Sequence, residues 1–305
     1  MIKKRIITAC VLVLCSFFFY CLPRNMKIIT FLPLTIKGTQ EMLILFHHSH
    51  SKTHKNQFWT RFWVVFLFTL LFFISVLIAF DFFPSLGQLF IFENKSKLSF
   101  FLLFYPFILF LLVFVFLPSY NTSDISKTFL IMIYVGGGMA SLLTLILAPL
   151  PYLLFFVLIV VLTDSFAFFA RFHKLFPFLN LGLLAPQLSP KKTKKGAILG
   201  TFGSPLATLL FFLITSLFNS NFQIKHFPLF FIFAFLISIV SQISDLLASK
   251  FKREYNIKDF GNFLPGHGGL LDRFDSWIFT SFFALFLFFV SSSLSPIFEV
   301  YFSSP

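Results

Sequence analysis

Acidic residues are scarce in this chain. Its 305 residues hold 11 Asp and Glu against 24 Lys and Arg, and charged residues of both signs make up 11%. A soluble domain carries about 25%, so a chain this poor in charge cannot clothe its own surface in polar groups. Cysteine is scarce as well. Cys10, Cys15 and Cys21 all lie in the first apolar run, with no second cluster or matching histidine spacing, which excludes a disulfide framework or a thiolate zinc site. Long hydrophilic stretches are missing, and nothing points to a soluble domain. The longest polar segments are 171–196 and 248–273. No clear internal repeat appears, which argues against an inverted-repeat transporter.

What is present is apolar: 58% of residues are hydrophobic and the mean hydropathy is +0.91. Most of the surface must therefore face lipid. The 54 Phe are spread over nearly every apolar run, which reads as composition rather than as an aromatic site. The opening "MIKKRIITACVLVLCSFFFYC" starts like a secretory signal but shows no small-x-small cleavage site, so an uncleaved first span is expected. Eight stretches have the length a bilayer needs, about 17–25 residues: roughly 6–22, 62–80, 98–117, 128–147, 152–170, 197–218, 227–247 and 274–294. A ninth, 28–46, contains Pro33, Lys37 and Glu41.

Charge arbitrates between eight and nine. With nine spans the N-terminus shares one face with the loops 47–61, 118–127, 171–196 and 248–273. That face gathers 18 Lys and Arg against five on the other. The basic face is expected to be cytoplasmic. The fold expected is all-α, a polytopic membrane protein of about nine helices. Its formal charge of +13 then reflects topology and anionic headgroups rather than nucleic acid.

The chemistry-bearing residues concentrate in "SQISDLLASKFKREYNIKDFGNFLPGHGGLLDRFDSW". Asp245 lies within an apolar run, and Asp272 and Asp275 open the next, three apart and so on one helix face. Three carboxylates at span ends repel unless a cation sits among them, and hard oxygen ligands favour Mg²⁺ completed by water and substrate phosphates. Lys250, Lys252, Arg253, Lys258 and Arg273 supply the opposite charge. Acids for a metal and bases for phosphate are what phosphoryl or nucleotidyl transfer requires. Gly266, Gly268 and Gly269 let backbone N–H groups approach an anion, and His267 can donate a hydrogen bond or act as acid or base. A basic juxtamembrane patch accounts for Lys250 but not for the acids.

Upstream, Asp164 sits in the apolar run 152–170, either as part of the polar cavity or as a buried acid paired with Arg171. Lys191, Lys192, Lys194 and Lys195 follow Ser189 in "LSPKKTKKG", and headgroup contact suffices for some of them. Gly196 and Gly200, four apart, and "YVGGGM" at 134–139 read as close-packing or hinge sites. His47, His48, His50 and His54 read as a solvated loop.

The pattern as a whole resembles the phosphatidate cytidylyltransferases (CDP-diacylglycerol synthases). Their C-terminal signature is matched by Ser249, Phe251, Lys252, Arg253, Lys258, Asp259, Gly261, Leu264, Pro265, His267, Gly268, Gly269, Leu270, Asp272, Arg273, Phe274 and Asp275. Ser244-Asp245-Leu246 and Ser189 to Thr193 fit as well. The likeness is firm from about residue 160 and weak before it. Two places depart from the family pattern: Lys194-Lys195 stands for Trp-Glu, and Ala170-Arg171 for Gly-Arg.

The resemblance implies transfer of the cytidylyl group of CTP to phosphatidate, giving CDP-diacylglycerol and pyrophosphate. It implies Mg²⁺ held by Asp245, Asp272 and Asp275, with K⁺ as a second cation. Lys258 and His267 would join the three acids in catalysis. Lys252, Arg253, Arg273, Gly268, Gly269, Ser249, Ser189, Lys191, Lys192 and Asp164 would bind substrate. It further implies a homodimer in a bacterial-type plasma membrane with the site facing the cytoplasm. Residues 1–159 would be scaffold and dimer contacts, and 160–305 the catalytic part. Two rivals are a CTP-dependent polyprenol kinase, which would make a phospho-lipid and CDP, and an ion-coupled transporter.

Overall fold

The computed structural model describes residues 18, 21–47, 55–79, 95–116, 120–148, 150–170, 182–216, 227–266 and 268–294. Most of the expected first span, His48, His50, His54, Arg171 and His267 lie outside them. The chain forms two compact units. The first takes Met1–Leu147 with Glu254–Phe274, and the second Ala148–Arg253 with Asp275–Pro305.

The first unit is built from α1 (Arg24–His47), α2 (Lys55–Ala79), α3 (Lys95–Phe114), α4 (Thr122–Ile131) and α5 (Gly138–Leu147), with a six-residue π turn, Met132–Gly137, joining α4 to α5. In lipid no water is at hand, and several hydroxyls find partners in the helix's own carbonyls. Thr35, Thr39, Thr69 and Thr144 do so by donating to the carbonyls of Phe31, Thr35, Val65 and Ala140, at 2.7–3.0 Å. The first turn of α4 is closed by the Asn121 N–H donating to Asp124 Oδ2 at 3.0 Å.

The glycines of "YVGGGM" are packing residues. A Cβ on Gly136 would stand 2.8 Å from the Thr69 carbonyl oxygen, so the π turn and α2 meet backbone to backbone. Edge-to-face pairs Phe68–Phe110, Phe72–Phe107, Phe107–Phe129 and Phe110–Phe129 tie α2, α3 and α4 together. Some of the phenylalanine bias is therefore core. Beside it, burial pushes the Tyr120 phenol up to about 12.

The second unit holds α6 (Leu150–Phe169), strands β1 (Leu183–Ala185) and β2 (Ser189–Thr193), α7 (Lys194–Ser216), α8 (Phe227–Glu254) and most of α9 (Leu271–Leu294). α6 and α7 touch closely because glycine permits it. Cβ atoms on Gly196 and Gly200 would lie 3.0 and 3.1 Å from the carbonyls of Ala167 and Thr163. Thr163 Oγ1 then meets Ser204 Oγ at 2.8 Å and Ser238 Oγ at 3.0 Å, linking α6, α7 and α8 by hydroxyls.

The protein is a helical membrane protein. Among the described residues five helices are long and apolar enough to span: Arg24–Phe46, Thr122–Leu147, Tyr152–Phe169, Lys194–Leu213 and Pro228–Glu254, with shorter apolar helices at Arg61–Leu77 and Leu103–Phe114. The stretch 28–46, questionable for its charges, is one of the five. The segment 171–196, expected as a loop, instead carries an antiparallel hairpin, Leu183 opposite Thr193 and Ala185 opposite Ser189. Its turn closes through the Leu188 N–H to the Ala185 carbonyl at 3.2 Å, with Pro186 where such turns favour proline. Thr193 Oγ1 accepts the Gly196 N–H at 3.1 Å and caps α7. α8 runs on to Glu254, so Lys252 and Arg253 sit on its last turn, where the helix dipole favours cations.

Candidate active site

In the second unit the polar residues gather around α6, β2, α8 and α9. Lys192, on β2, places its Nζ 2.6 Å from Asp245 Oδ2 on α8. Lys252, two turns further along α8, stands 3.7 Å from Asp275 Oδ2 on α9. Asp164 Oδ2 accepts a hydrogen bond from Ser276 Oγ at 3.3 Å and lies within electrostatic reach of Asp245 and Lys192. Ser244 Oγ donates to the Asp275 backbone carbonyl, which joins α8 to α9 beside both acids. Arg253 Nε donates to the Leu188 carbonyl at 3.3 Å, tying the end of α8 to the hairpin turn. Each acid thus has a named partner: Lys192 for Asp245, Lys252 for Asp275 and Ser276 for Asp164.

In the first unit the glycine turn wraps around carboxylates of the chain itself. Asp272 is buried, and its Oδ2 accepts the N–H groups of Phe260 at 2.8 Å and Gly269 at 2.9 Å. Gly268 has φ +83°, and a Cβ there would stand 2.8 Å from that oxygen, so glycine is required on both counts. Leu264 N–H donates to the Gly268 carbonyl at 2.8 Å and closes the turn.

A family model described as "Cytidylyltransferase family" matches residues 3–291. The chain belongs to the cytidylyltransferase family. Among curated relatives it is similar to the phosphatidate cytidylyltransferase of Rickettsia conorii, 35% identical over 50% of this chain and 76% of that protein. It is 45% identical to that of Rickettsia bellii over 35% of this chain and 46% of the relative. It is 38% identical to that of Staphylococcus saprophyticus over 48% of this chain and 52% of the relative. The chain thus spans about half the length of the last two.

The resemblance drawn from the motif is borne out at the level of the family. Of the expected site residues, the structure pairs Lys192 with Asp245 and Lys252 with Asp275 in the second unit, with Asp164 within electrostatic reach of the first pair. Ser189 opens β2, and Lys191 is exposed along it. Ser249 is half-buried on α8, while Lys258 and Arg273 are exposed. Lys195, where the family pattern has an acid, is buried. His267 lies outside the described residues. Among the described residues, no three Asp, Glu, His or Cys side chains form a group that could hold a metal ion.

Sequence reasoning missed one acid. Glu41, in the stretch 28–46, is 1% exposed and accepts the N–H groups of Leu270 and Leu271, each at 2.9 Å. The available signal was its cost: a lone carboxylate in an apolar run asks for a partner.

Proposed function

We propose that the protein transfers the cytidylyl group of CTP to phosphatidate, leaving CDP-diacylglycerol in the membrane and releasing pyrophosphate. The observation that carries this reading is the pairing of Lys192 with Asp245 and Lys252 with Asp275, beside Asp164, in a chain of this family. A phosphatidate phosphate oxygen forms a bond to the α-phosphorus of CTP. The bond from that phosphorus to the α–β bridging oxygen breaks, and pyrophosphate leaves with the electron pair. Lys192 and Lys252 exchange a carboxylate for phosphate oxygens when substrate arrives, and Lys191, Arg253, Lys258 and Arg273 add positive charge around the triphosphate. Ser189, Ser249, Gly268 and Gly269 complete the proposed contacts, and His267 is the proposed acid or base.

Asp245 and Asp275 offer hard oxygens of the kind Mg²⁺ takes. Two carboxylates suit it, because Mg²⁺ usually fills its shell with water and substrate phosphates. When bound, Mg²⁺ neutralises charge on the reacting phosphates. The family signature would make Asp272 a third ligand; in the structure its Oδ2 is engaged by two backbone N–H groups. K⁺ is proposed as the second cation on the same strength.

The fuller setting is a bacterial-type plasma membrane protein of nine spans, N-terminus and site on the cytoplasmic face, with residues 160–305 catalytic and 1–159 supporting a homodimer. The excess of 18 Lys and Arg on that face supports the orientation, and the resemblance supports the dimer. Membranes containing the protein, given labelled CTP and phosphatidate, should yield a labelled CDP-lipid and pyrophosphate. Formation of a phospho-lipid with release of CDP would overturn the reading in favour of a lipid kinase.

A further inference from the structure

Helix α1 holds the 254–274 segment at four places. The Glu41 carboxylate takes the Leu270 N–H on Oε1 and the Leu271 N–H on Oε2. Leu271 opens α9, so these are among the N–H groups that a helix start leaves without intrahelical partners, and the negative charge sits at the favourable end of the dipole. Two glycines make room for it. A Cβ on Gly269 would stand 2.6 Å from Oε2, and one on Gly261 3.0 Å from Oε1. One turn earlier, Lys37 Nζ lies 5.3 Å from the centre of the Phe263 ring, and a Cβ on Gly38 would touch Leu271 at 3.3 Å. One turn later, Phe46 packs edge-on against Tyr255 at 5.5 Å.

Capping a helix does not need this arrangement. A local Ser, Thr, Asn or Asp serves at far lower cost than a carboxylate buried in an apolar helix. What the distant acid adds is a fixed reference. It ties the turn bearing Asp272 and Arg273 to a helix more than 220 residues earlier in the chain. We propose that Glu41 is a positioning residue, which fixes the backbone at Gly269–Leu271 and thereby the aim of Asp272 and Arg273 in the transfer reaction. The inference rests on the proposed function, since the reaction is what needs that aim.

The test is Glu41→Gln in the full chain, purified and reconstituted. The amide keeps the size but turns an NH₂ toward one of the two N–H donors. With the turn displaced by a fraction of an ångström to an ångström, kcat per folded molecule should fall about ten- to a hundredfold. Amide exchange in peptides covering 262–275 should quicken, with peptides of α6 and α7 unchanged. A kcat within about twofold of the parent, or unaltered exchange at 262–275, overturns the proposal. A parent that makes no CDP-diacylglycerol sinks the proposed function instead, and the exchange measurement still decides whether Glu41 holds the turn. Should Glu41→Gln fail to accumulate, Gly261→Ala presses on Oε1 without removing the charge. It should produce smaller changes in both readouts, and no change in either would equally overturn the idea.

Discussion

The Lys192–Asp245 pair can be made to say whether it serves substrate or only itself. Its atoms are 2.6 Å apart, and the side chains are 18% and 30% exposed, so this is more than a solvated surface pair and less than a buried one. A charge-assisted hydrogen bond is worth about 1.5–3 kcal/mol, which corresponds to roughly ten- to 150-fold in rate. If Lys192 touches a phosphate and Asp245 a cation, each makes its own contribution to the transition state. Lys192→Met and Asp245→Asn should then each lower kcat/KM by about that factor, and the double variant by about the product, on the order of 10²–10⁴. If each residue exists only to satisfy the other, removing the second after the first costs nothing more. The assay is the initial rate of CDP-diacylglycerol formation from labelled CTP, in membranes matched for protein. Single variants that each stay within about threefold of the parent would refute the catalytic reading and leave a structural ion pair.

Three further outcomes are expected. Gly200→Ala puts a Cβ 3.1 Å from the Thr163 carbonyl and 3.4 Å from Gln242 Nε2; forcing α6 and α7 apart should cost about 1–3 kcal/mol, seen as a lower thermal midpoint in detergent, and an unchanged midpoint would discredit the close-packing account. Chelation by EDTA should abolish CDP-diacylglycerol formation, with Mg²⁺ restoring it and Mn²⁺ restoring part; undiminished turnover in EDTA would count decisively against a divalent ion. Single cysteines at Ser51 and Ser303, in a chain whose three native cysteines are replaced, should react from opposite faces of the membrane, and labelling from one face would dismiss nine spans.

Much of the helical scaffold was legible because lipid imposes a length. Runs such as 128–147, 152–170 and 227–247 appear as candidate spans with ends shifted by a few residues. The shifts have causes. α4 starts at Thr122, inside a segment read as loop, because Asn121 and Asp124 close its first turn. α8 outruns its apolar stretch to Glu254 because basic residues suit a helix C-terminus as well as they suit a loop. The hairpin at 183–193 was hidden by reading Lys191, Lys192, Lys194 and Lys195 only as charge. Pro186 at the turn and Thr193 at the cap were the local signals, and both are ordinary turn and cap chemistry.

The acids were legible as costs, but their partners were not. Fixed spacing in "GHGGLLDRFDSW" told that Asp272 and Asp275 share a face. It could not tell that one oxygen of Asp272 would be taken by the N–H groups of Phe260 and Gly269, whereas Asp275 would face Lys252. The glycines raised the same difficulty. Their freedom announced backbone N–H groups turned toward an anion, and two carboxylates of the chain itself fill part of that role: Asp272 three residues from Gly269, and Glu41 from the far end of the sequence. A glycine required by a distant side chain leaves no local trace, because the atom that would clash with a Cβ belongs to a different helix. Glu41 and Gly269 each look anomalous alone, a charge in an apolar run and a third glycine in a short turn. A Cβ on Gly269 would stand 2.6 Å from Glu41 Oε2, so each explains the other: the missing side chain makes room for the buried charge.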